Sequence, residues 1–280
     1  MRFEKWQALG NDYIVVERAA LPWKLTAKRI RRICEPHSGV GSDGILLLSP
    51  TEDERYVAEL RIFNPDGSEA ELSGNGAREA VLYLRATGWT DADTFTILTK
   101  AGEVTPTITG PNEVSMAIGR ASVTSPFYPD GPPDGSGTIS SRGREWQFQH
   151  VDVGNPQCVI EVGDQVEELD LPTIGPAIES SRQFPQRTNV SFTKVDGSTV
   201  RARIFERGVG ETLSSGTGAA GAAVAAFLRG APSPITVKLD GGELTVEVSE
   251  GLDVTLIGAA SRVYAGELDT DFAQSLAGAD

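Results

Sequence analysis

Short apolar segments recur along most of the chain and are separated by glycine, proline, aspartate and asparagine. Most of these segments are rich in valine, isoleucine, threonine and phenylalanine, a composition that is typical of β-strands bounded by turns. The pattern therefore predicts a chain dominated by strands. They lie over Phe3–Gln7, Tyr13–Val16, Gly44–Leu48, Val57–Phe63, Phe95–Thr99, Val114–Ile118, Gln147–Val151, Val159–Val162, Asn189–Val195, Val200–Phe205, Ile235–Leu239, Leu244–Val248 and Val254–Ile257.

Helices are predicted at fewer places. They cover Leu25–Cys34, which opens at a Thr26 N-cap, Ala77–Thr87, Ala219–Arg229 and, with a weaker pattern, Gly175–Ser181. Gly88 and Gly230 directly follow two of these segments, and glycine is typical of the first position beyond a helix. Residues 125–137 hold four prolines and three glycines and predict a loop, and the last ten residues predict a frayed acidic tail.

An internal repeat is the most informative feature of the sequence. A shift of 142 positions places Arg61-Ile62-Phe63 on Arg203-Ile204-Phe205 and gives nine identities within positions 61–80 without a gap. A shift of 144 positions places Gly10-Asn11 on Gly154-Asn155. Ordered matches of this kind indicate a duplication. We therefore predict an α+β fold with two pseudosymmetric domains from an internal duplication.

Both copies of the repeat contain S-G-x-G-A-x-x-A, beginning at Ser73 and at Ser215. Glycine lets a ligand approach the backbone closely, and the start of a helix presents unpaired N–H groups with a partial positive charge. One interpretation is close packing of helix against sheet. Because the motif occurs twice, we favour a ligand clamped by two helix starts. Inversion of a stereocentre needs an acid–base group on each of two opposite sides, and a duplicated domain supplies that arrangement.

Composition and charge argue against several classes of partner. The 280 residues include 25 basic and 39 acidic residues, a formal net charge of −14, which repels nucleic acid and anionic membranes. No apolar run reaches the length of a membrane-spanning helix, and the first residues show no signal-peptide core. Two cysteines, Cys34 and Cys158, are too few for a disulfide framework. We expect a cytoplasmic protein with reduced, buried thiols and with neither nucleic-acid nor membrane partners.

Residues 39–44, GVGSDG, satisfy the G-x-G-x-x-G pattern of dinucleotide-binding loops. Such a fingerprint follows a strand and opens a helix, whereas this segment runs into a predicted strand. We therefore interpret it as a turn. Cys34 and His37 have ligand-like spacing but no second pair, so the sequence predicts no metal site.

Several longer motifs together carry a family resemblance. They are ALGNDY at 8–13, GVGSDG at 39–44, FNPDGSEAELSGNGAR at 63–78, GNPQCV at 154–159, RTNV at 187–190 and FERGVGETLSSGTG at 205–218. With these motifs the chain resembles the diaminopimelate epimerase family over nearly its whole length. The resemblance implies that each domain is a β-sheet wrapped round a central helix, with a site in the cleft between the domains and no cofactor. It implies an N-terminal domain of residues 1–120 plus a returning strand in 261–280, and a C-terminal domain of residues 121–260.

The resemblance also implies an amino-acid isomerase of lysine biosynthesis whose partner is a small amino acid, and it leaves a homodimer open. Substrate contacts are implied for Asn11, Asn64, Asn155, Asn189, Glu206 and Arg207, and the α-carboxylate would be held by backbone N–H groups of Gly74, Asn75, Gly216 and Thr217. The residue types agree with this role, because amides with one carboxylate and one guanidinium can bind a zwitterion. Each asparagine taken alone is more often a turn residue.

The chain departs from the family at the reacting groups. The two catalytic bases of the family are cysteines, and Ser73 and Ser215 occupy both positions, while Gln157 stands where the family has a histidine. A cysteine can be tuned to a thiolate near neutral pH, whereas a serine hydroxyl is a far weaker acid and needs an adjacent base. Glu206 is the nearest candidate to activate Ser215 if the family geometry holds.

Three explanations account for the serines. The first is an isomerase acting at the α-carbon of a small amino acid, or a related lyase, with altered chemistry in which Ser73, Ser215 and Glu206 are catalytic. The second is a catalytically silent amino-acid-binding homologue. The third is a laboratory exchange of cysteine for serine, against which the further changes at Gln157, Glu79 and Gly221 argue. We predict the isomerase and keep the silent homologue as the alternative.

Overall fold

The computed structural model describes residues 1–278 and divides into two compact units. Unit 1 comprises Met1–Met116 and the chain from Gly258 onward, and unit 2 comprises Ala117–Ile257. Strands dominate both units, as the apolar pattern predicts. No helix within residues 1–278 is long and apolar enough to cross a membrane.

The first part of the chain builds most of unit 1. Its strands are β1 (Arg2–Ala8), β2 (Asn11–Glu17), β3 (Ile45–Ser49), β4 (Glu59–Phe63), β5 (Glu69–Ala70), β6 (Ile97–Thr99), β7 (Gly102–Val104), β8 (Thr107–Gly110) and β9 (Glu113–Arg120), and its helices are α1 (Ala27–Cys34) and α2 (Gly74–Ala86). A short 3-10 helix covers Arg18–Ala20. The chain passes into unit 2 within β9.

Unit 2 is one continuous segment, after which the chain returns to unit 1. Its strands are β10 (Ser136–Ser141), β11 (Arg144–Asp152), β12 (Pro156–Glu161), β13 (Asn189–Asp196), β14 (Thr199–Glu206), β15 (Gly210–Thr212), β16 (Ile235–Leu239), β17 (Gly242–Val248) and β18 (Asp253–Ala259), its α-helices are α3 (Leu171–Glu179) and α4 (Gly216–Leu228), and a 3-10 helix covers Gly163–Glu168. Strand β19 (Ser261–Glu267) and helix α5 (Thr270–Ala277) then complete unit 1.

The sheet of unit 1 surrounds helix α2. Its strand order is β19-β1-β2-β3-β4-β6-β7, with β5 paired to β4. The returning strand β19 pairs antiparallel with β1, and β2 pairs parallel with β3, with Ile14 opposite Ile45. Every residue of α2 from Asn75 to Leu84 is buried. A helix buried on all sides is a central helix, so α2 forms the core of this unit.

Unit 2 repeats this plan around helix α4. Its strands β10 to β18 belong to one sheet, in which they follow the order β10-β11-β12-β13-β14-β16-β17-β18, with β15 paired to β14. Every residue of α4 from Gly218 to Ala226 is buried. A second group of buried apolar side chains, which includes Phe148, Phe184 and Phe192, packs with Leu171 and Ile178 of α3.

The predicted duplication is visible in matching side-chain contacts. Arg61 Nε lies 2.9 Å from Glu69 Oε1 in unit 1, and Arg203 Nη2 lies 2.6 Å from Glu211 Oε1 in unit 2. Both pairs connect corresponding strands, β4 with β5 and β14 with β15. The α+β fold of two duplicated units, each with a sheet around a central helix, is confirmed.

The helix ends are predicted better than the helix starts. The Thr26 N-cap of α1 is confirmed by a hydrogen bond from the Arg29 N–H, and Gly88 and Gly230 follow their helices with positive φ angles of 78° and 99°. The predicted starts at Ala77 and Ala219 are wrong, because α2 begins at Gly74 and α4 at Gly216. The glycines of S-G-x-G lie inside the first turn, where capping by serine offsets their low helix propensity.

Other differences concern short elements. The apolar pattern missed the strands β5, β7, β8, β10 and β15, and the loop predicted over 125–137 ends where β10 begins at Ser136. Helix α3 begins at Leu171, earlier than predicted, because Asp170 caps it and Pro172 occupies its first turn. The predicted frayed tail is wrong over α5, whose N-cap is Asp269, and residues 279–280 lie outside the described residues.

Candidate functional site

The turn of unit 1 is built by Ser73, which caps helix α2. Its Oγ accepts a hydrogen bond of 3.1 Å from the Gly76 N–H and one of 3.3 Å from the Tyr13 hydroxyl. Gly76 packs closely here, because a Cβ at this position would lie 2.9 Å from Leu46 Cδ2 and the leucine side chain would have to move. A Cβ at Gly74, by contrast, would meet only Arg78 Nη1, at 4.0 Å. The outer face of the turn is therefore open to a ligand.

The hydrogen-bond pattern makes Ser73 a proton donor. A serine hydroxyl has one donor hydrogen and two acceptor lone pairs. Gly76 and Tyr13 both donate to the oxygen, so the hydrogen of Ser73 is left for another acceptor. Burial raises the pKa of Tyr13 above its usual value, so the phenol keeps its proton at neutral pH. The turn of unit 1 therefore presents hydroxyl donors rather than a base.

The turn of unit 2 has the same backbone and a different partner. Ser215 caps α4, and its Oγ accepts a 3.2 Å hydrogen bond from the Gly218 N–H. Glu206 lies at the end of β14, where burial raises the pKa of its carboxyl, while interactions with Thr212 and the Ser215 hydroxyl lower it in part. The Thr212 hydroxyl donates to Glu206 Oε1 over 2.7 Å. Ser215 thus has a carboxyl group as neighbour, and Ser73 has a phenol.

Gly44, the last glycine of GVGSDG, holds Tyr13 in place. A Cβ at Gly44 would lie 2.2 Å from the Phe63 carbonyl oxygen and 2.8 Å from Tyr13 Cε1. Only glycine fits, because the tyrosine ring packs against its backbone. The segment leads into β3, so its interpretation as a turn, rather than as a dinucleotide loop, is confirmed.

Corresponding asparagines contact each turn. In unit 1, Asn75 Nδ2 donates to Asn11 Oδ1 over 3.2 Å. In unit 2, Asn155 Nδ2 donates to Thr217 Oγ1 over 3.2 Å. The residues are equivalent in the repeat, since Asn11 corresponds to Asn155. Each pair brings two of the predicted substrate-binding residues together beside a helix start.

The other predicted contacts lie on neighbouring loops. Asn189 is buried, and its Oδ1 accepts a 2.8 Å hydrogen bond from the backbone N–H of Arg207. Arg207 Nη1 donates to the Gln186 carbonyl oxygen over 3.0 Å. Asn64 follows β4 and donates to Ser68 Oγ over 2.9 Å within a turn of its own. The structure therefore joins Asn189 to Arg207 but places Asn64 in a turn contact only.

Gln157 and Gly221 depend on each other in unit 2. Gln157 is fully buried, and its Nε2 donates to Asn155 Oδ1 over 2.6 Å. A Cβ at Gly221 would lie 2.6 Å from Gln157 Cγ, so the glycine provides the space for this side chain. Gln157 cannot act as a proton acceptor of histidine type, but it orients the predicted contact Asn155.

Sequence reasoning missed three residues of unit 1. Tyr13 and Arg78 belong to quoted motifs, ALGNDY and SGNGAR, but nothing in the sequence shows that the phenol reaches Ser73 or that the guanidinium is buried. Glu79 is fully buried on α2, and burial raises the pKa of its carboxyl well above the usual value. The position of Glu79 in a predicted central helix was the signal from which its burial could have been predicted.

The histidines and thiols are not part of either turn. His150 is buried with Nε2 2.9 Å from Ser125 Oγ, and burial lowers its pKa. Cys34 and Cys158 are buried free thiols, as predicted, and burial raises the pKa of both. Over residues 1–278, no group of three histidine, cysteine or acidic side chains is arranged to hold a metal ion.

Comparisons with known proteins match the chain along nearly its whole length. Residues 3–124 and 149–263 match the diaminopimelate epimerase family. Diaminopimelate epimerase 2 of Nostoc sp. is 38% identical over 277 residues, which cover 97% of this chain and 96% of the relative. The diaminopimelate epimerase of Methanococcus maripaludis is 37% identical over 279 residues, covering 96% of this chain and 100% of the relative.

Solved structures share the fold at low sequence identity. A predicted epimerase from Pseudomonas aeruginosa is similar with a TM-score of 0.68 and 16% identity, covering 96% of this chain and 99% of the other. A hydroxyproline epimerase from Agrobacterium vitis, with bound trans-4-hydroxy-L-proline, gives a TM-score of 0.64 and 17% identity, covering 96% and 90%. At such identities the likeness shows the fold.

Proposed function

Because the chain belongs to the diaminopimelate epimerase family, we propose that it is a cofactor-independent isomerase acting at the α-carbon of a small amino acid. The observation that carries the proposal is the pair of serine-capped helix starts, each open at its first glycine. Backbone N–H groups at such starts favour a carboxylate, which would stabilise the negative charge that develops when the α-proton leaves. The two units are, in this proposal, the two domains expected from the sequence.

Unit 2 supplies the base in this mechanism. The partly buried carboxylate of Glu206 has a pKa raised above its usual value, which makes it a better proton acceptor than an ordinary glutamate. It takes the α-proton directly or through Ser215, whose hydroxyl it polarises. Asn155 and Thr217 orient the substrate, and the buried Gln157 holds Asn155.

Unit 1 supplies the acid. Ser73 has its hydrogen free to donate while both lone pairs accept from Tyr13 and Gly76. Return of a proton from this hydroxyl completes inversion, with Tyr13 stabilising the oxygen that has lost it. Asn11, Asn64, Asn189 and Arg207 are proposed to contact the remaining polar groups of the substrate.

The proposal is tested by proton exchange. The protein is incubated in deuterated water with the stereoisomers of diaminopimelate and with other amino acids, and the α-proton is followed by NMR. We expect exchange above the buffer control, and loss of it in Glu206→Gln. Binding without exchange would support a catalytically silent amino-acid-binding homologue, which the weak acidity of two serine hydroxyls favours. Absence of both binding and exchange would refute the site.

The double variant Ser73→Cys with Ser215→Cys separates loss of the bases from wider divergence. A thiol has a reference pKa of about 8.5 and is a far stronger acid than a serine hydroxyl. We expect the two thiols to increase exchange. No increase would show that the change of partner groups, Gln157 included, also limits the reaction.

A further inference from the structure

Helix α2 contains a buried positive charge that the proposed reaction does not use. Arg78 is fully buried, and its Nε and Nη1 atoms have no hydrogen-bond partner among the described residues. Only Nη2 is engaged, donating to Asn75 Oδ1 over 2.6 Å. Burying a guanidinium without a full set of partners is costly, and such groups are uncommon outside functional sites.

The guanidinium lies against the turn that opens the helix. A Cβ built on Gly74 would lie 4.0 Å from Arg78 Nη1, closer than any other atom outside the local backbone. A full positive charge therefore adds to the partial charge of the helix start at Gly74 and Asn75. The pKa of Arg78 is lowered to about 10 by burial, so the side chain is charged at neutral pH.

Within residues 1–278, no acidic side chain forms a hydrogen bond with this guanidinium. Glu79 is adjacent in sequence, but burial raises the pKa of its carboxyl well above the usual value, with Asp12 and Asp43 raising it further. Burial thus favours the uncharged form of Glu79, and neither of its carboxyl oxygens has a hydrogen-bond partner among the described residues, so Glu79 forms no hydrogen bond with Arg78. An anion at the Gly74–Asn75 turn would balance the charge of Arg78.

Arg78 also fixes the direction of the amide groups beside the turn. Arginine only donates hydrogen bonds, so the side-chain atom that accepts one from it must be an oxygen. Arg78 donates to Asn75, Asn75 donates to Asn11 over 3.2 Å, and Asn11 donates to Asp43 Oδ2 over 2.9 Å. Because Arg78 can only donate, Asn75 presents its oxygen to Arg78 and its amide nitrogen to Asn11, whose own amide nitrogen then faces Asp43.

The turn of unit 2 has no arginine at the position that corresponds to Arg78. The shift of 142 positions that relates the two serines places Ala220, a buried apolar residue, at the position of Arg78. We propose that Arg78 makes the Gly74–Asn75 turn a carboxylate-binding subsite and makes it the stronger of the two turns. The inference rests on the proposed function in taking the ligand to be a carboxylate. Arg78 acts from behind the turn as a positioning residue, through its charge and through Asn75.

The test uses acetate, the simplest carboxylate, and acetamide as its uncharged counterpart. The full chain is labelled with ¹⁵N, and the amide signals of Gly74, Asn75, Gly216 and Thr217 are followed during each titration. We expect acetate, but not acetamide, to shift Gly74 and Asn75 in the wild type. In Arg78→Met the affinity for acetate should fall about 10- to 100-fold at these signals only, a range that corresponds to one charge-assisted contact. Arg78→Lys should recover part of it.

Controls separate this role from a purely structural one. Arg85→Met removes a partly exposed arginine of the same helix, which pairs with Asp91, and should leave the titration unchanged. The unfolding midpoint of Arg78→Met should be no lower than that of the wild type, because removal of a buried charge that has no hydrogen-bonded acidic partner is neutral or stabilising. Equal acetate affinity in wild type and Arg78→Met, or a large fall in the midpoint with no change in affinity, overturns the inference. Failure of α-proton exchange with a normal acetate response would instead refute only the proposed reaction.

Discussion

Glu79 offers a direct test of the charge distribution in unit 1. The side chain is fully buried on α2, and neither carboxylate oxygen has a hydrogen-bond partner among the described residues. Burial is the main cause that raises the pKa of this carboxyl, and Asp12 and Asp43 add to it, while Arg78 lowers it. We expect Glu79→Gln, which has nearly the same shape and does not ionise, to stabilise the protein increasingly as the pH rises.

The direction of this pH dependence follows from the number of protons that Glu79 binds in the folded and unfolded states. In the unfolded chain the carboxyl loses its proton above its ordinary pKa of 4.5, whereas the folded protein retains it until the raised pKa is reached. The folded state therefore loses stability over that window, by about 1.4 kcal/mol per pH unit. Each pH unit within that window corresponds to roughly 3–6 °C in the unfolding midpoint for a chain of more than 150 residues. Glu79→Gln removes this loss of stability because glutamine does not ionise.

Urea unfolding, followed by tryptophan fluorescence from pH 4.5 to 7.5, measures the difference between variant and wild type. We expect that difference to be smallest at pH 4.5 and to rise by about 1.4 kcal/mol per pH unit until the raised pKa is passed. Glu71→Gln, at an exposed position shortly before the helix, is the matched control and should give a constant difference. A constant difference for Glu79→Gln, or a variant less stable at every pH, would show that Glu79 is ionised and paired in the folded state.

Three further predictions concern the two turns. Glu206→Gln should abolish α-proton exchange, and the wild-type rate should fall as the pH drops through the raised pKa of Glu206, as measured by a rate profile from pH 5 to 9. Gly221→Ala should cost about 1–3 kcal/mol in urea unfolding because its Cβ would meet Gln157, whereas Gly216→Ala, with open space around it, should stay within about 0.5 kcal/mol of the wild type. Ser73→Ala should lower the free energy of unfolding by about 0.5–2 kcal/mol through loss of the N-cap, and full stability in this variant would contradict the cap.

The strands could be predicted because they depend on local periodicity. The repeat could be predicted because it depends on identity between two segments of the sequence. β4 and β14 carry the same Arg-Ile-Phe, and their arginines make corresponding ion pairs. The helix starts were misplaced because glycine has a low helix propensity, and propensity is outweighed when serine caps the first turn. Two-residue and three-residue strands such as β5 and β15 are too short to show alternation, since they exist by pairing with a longer neighbour.

The sequence predicted those site residues that belong to the repeated motif. It missed the residues whose chemistry depends on burial. Ser73 and Ser215 follow from the repeat, and the structure caps a helix with each. The sequence does not show that the phenol of Tyr13 donates to Ser73, or that Arg78 is enclosed, because both depend on distant strands and loops. Tyr13 reaches its position only because Gly44 leaves room for its ring.

Duplication has preserved the backbone of the two turns and allowed their charges to diverge. Both serines cap a helix and both turns have an amide partner, Asn11 in unit 1 and Asn155 in unit 2. The ionisable groups differ completely: unit 1 has a protonated phenol and a buried guanidinium, and unit 2 has the carboxyl of Glu206. A thiol can serve as acid in one direction and base in the other, so two thiols can act interchangeably. A carboxylate and a hydroxyl cannot, because the hydroxyl is the poorer base by many orders of magnitude. Without the cysteines, the proposed reaction therefore requires ionisable groups that differ between unit 1 and unit 2. The two turns provide this difference while both keep a serine-capped helix start.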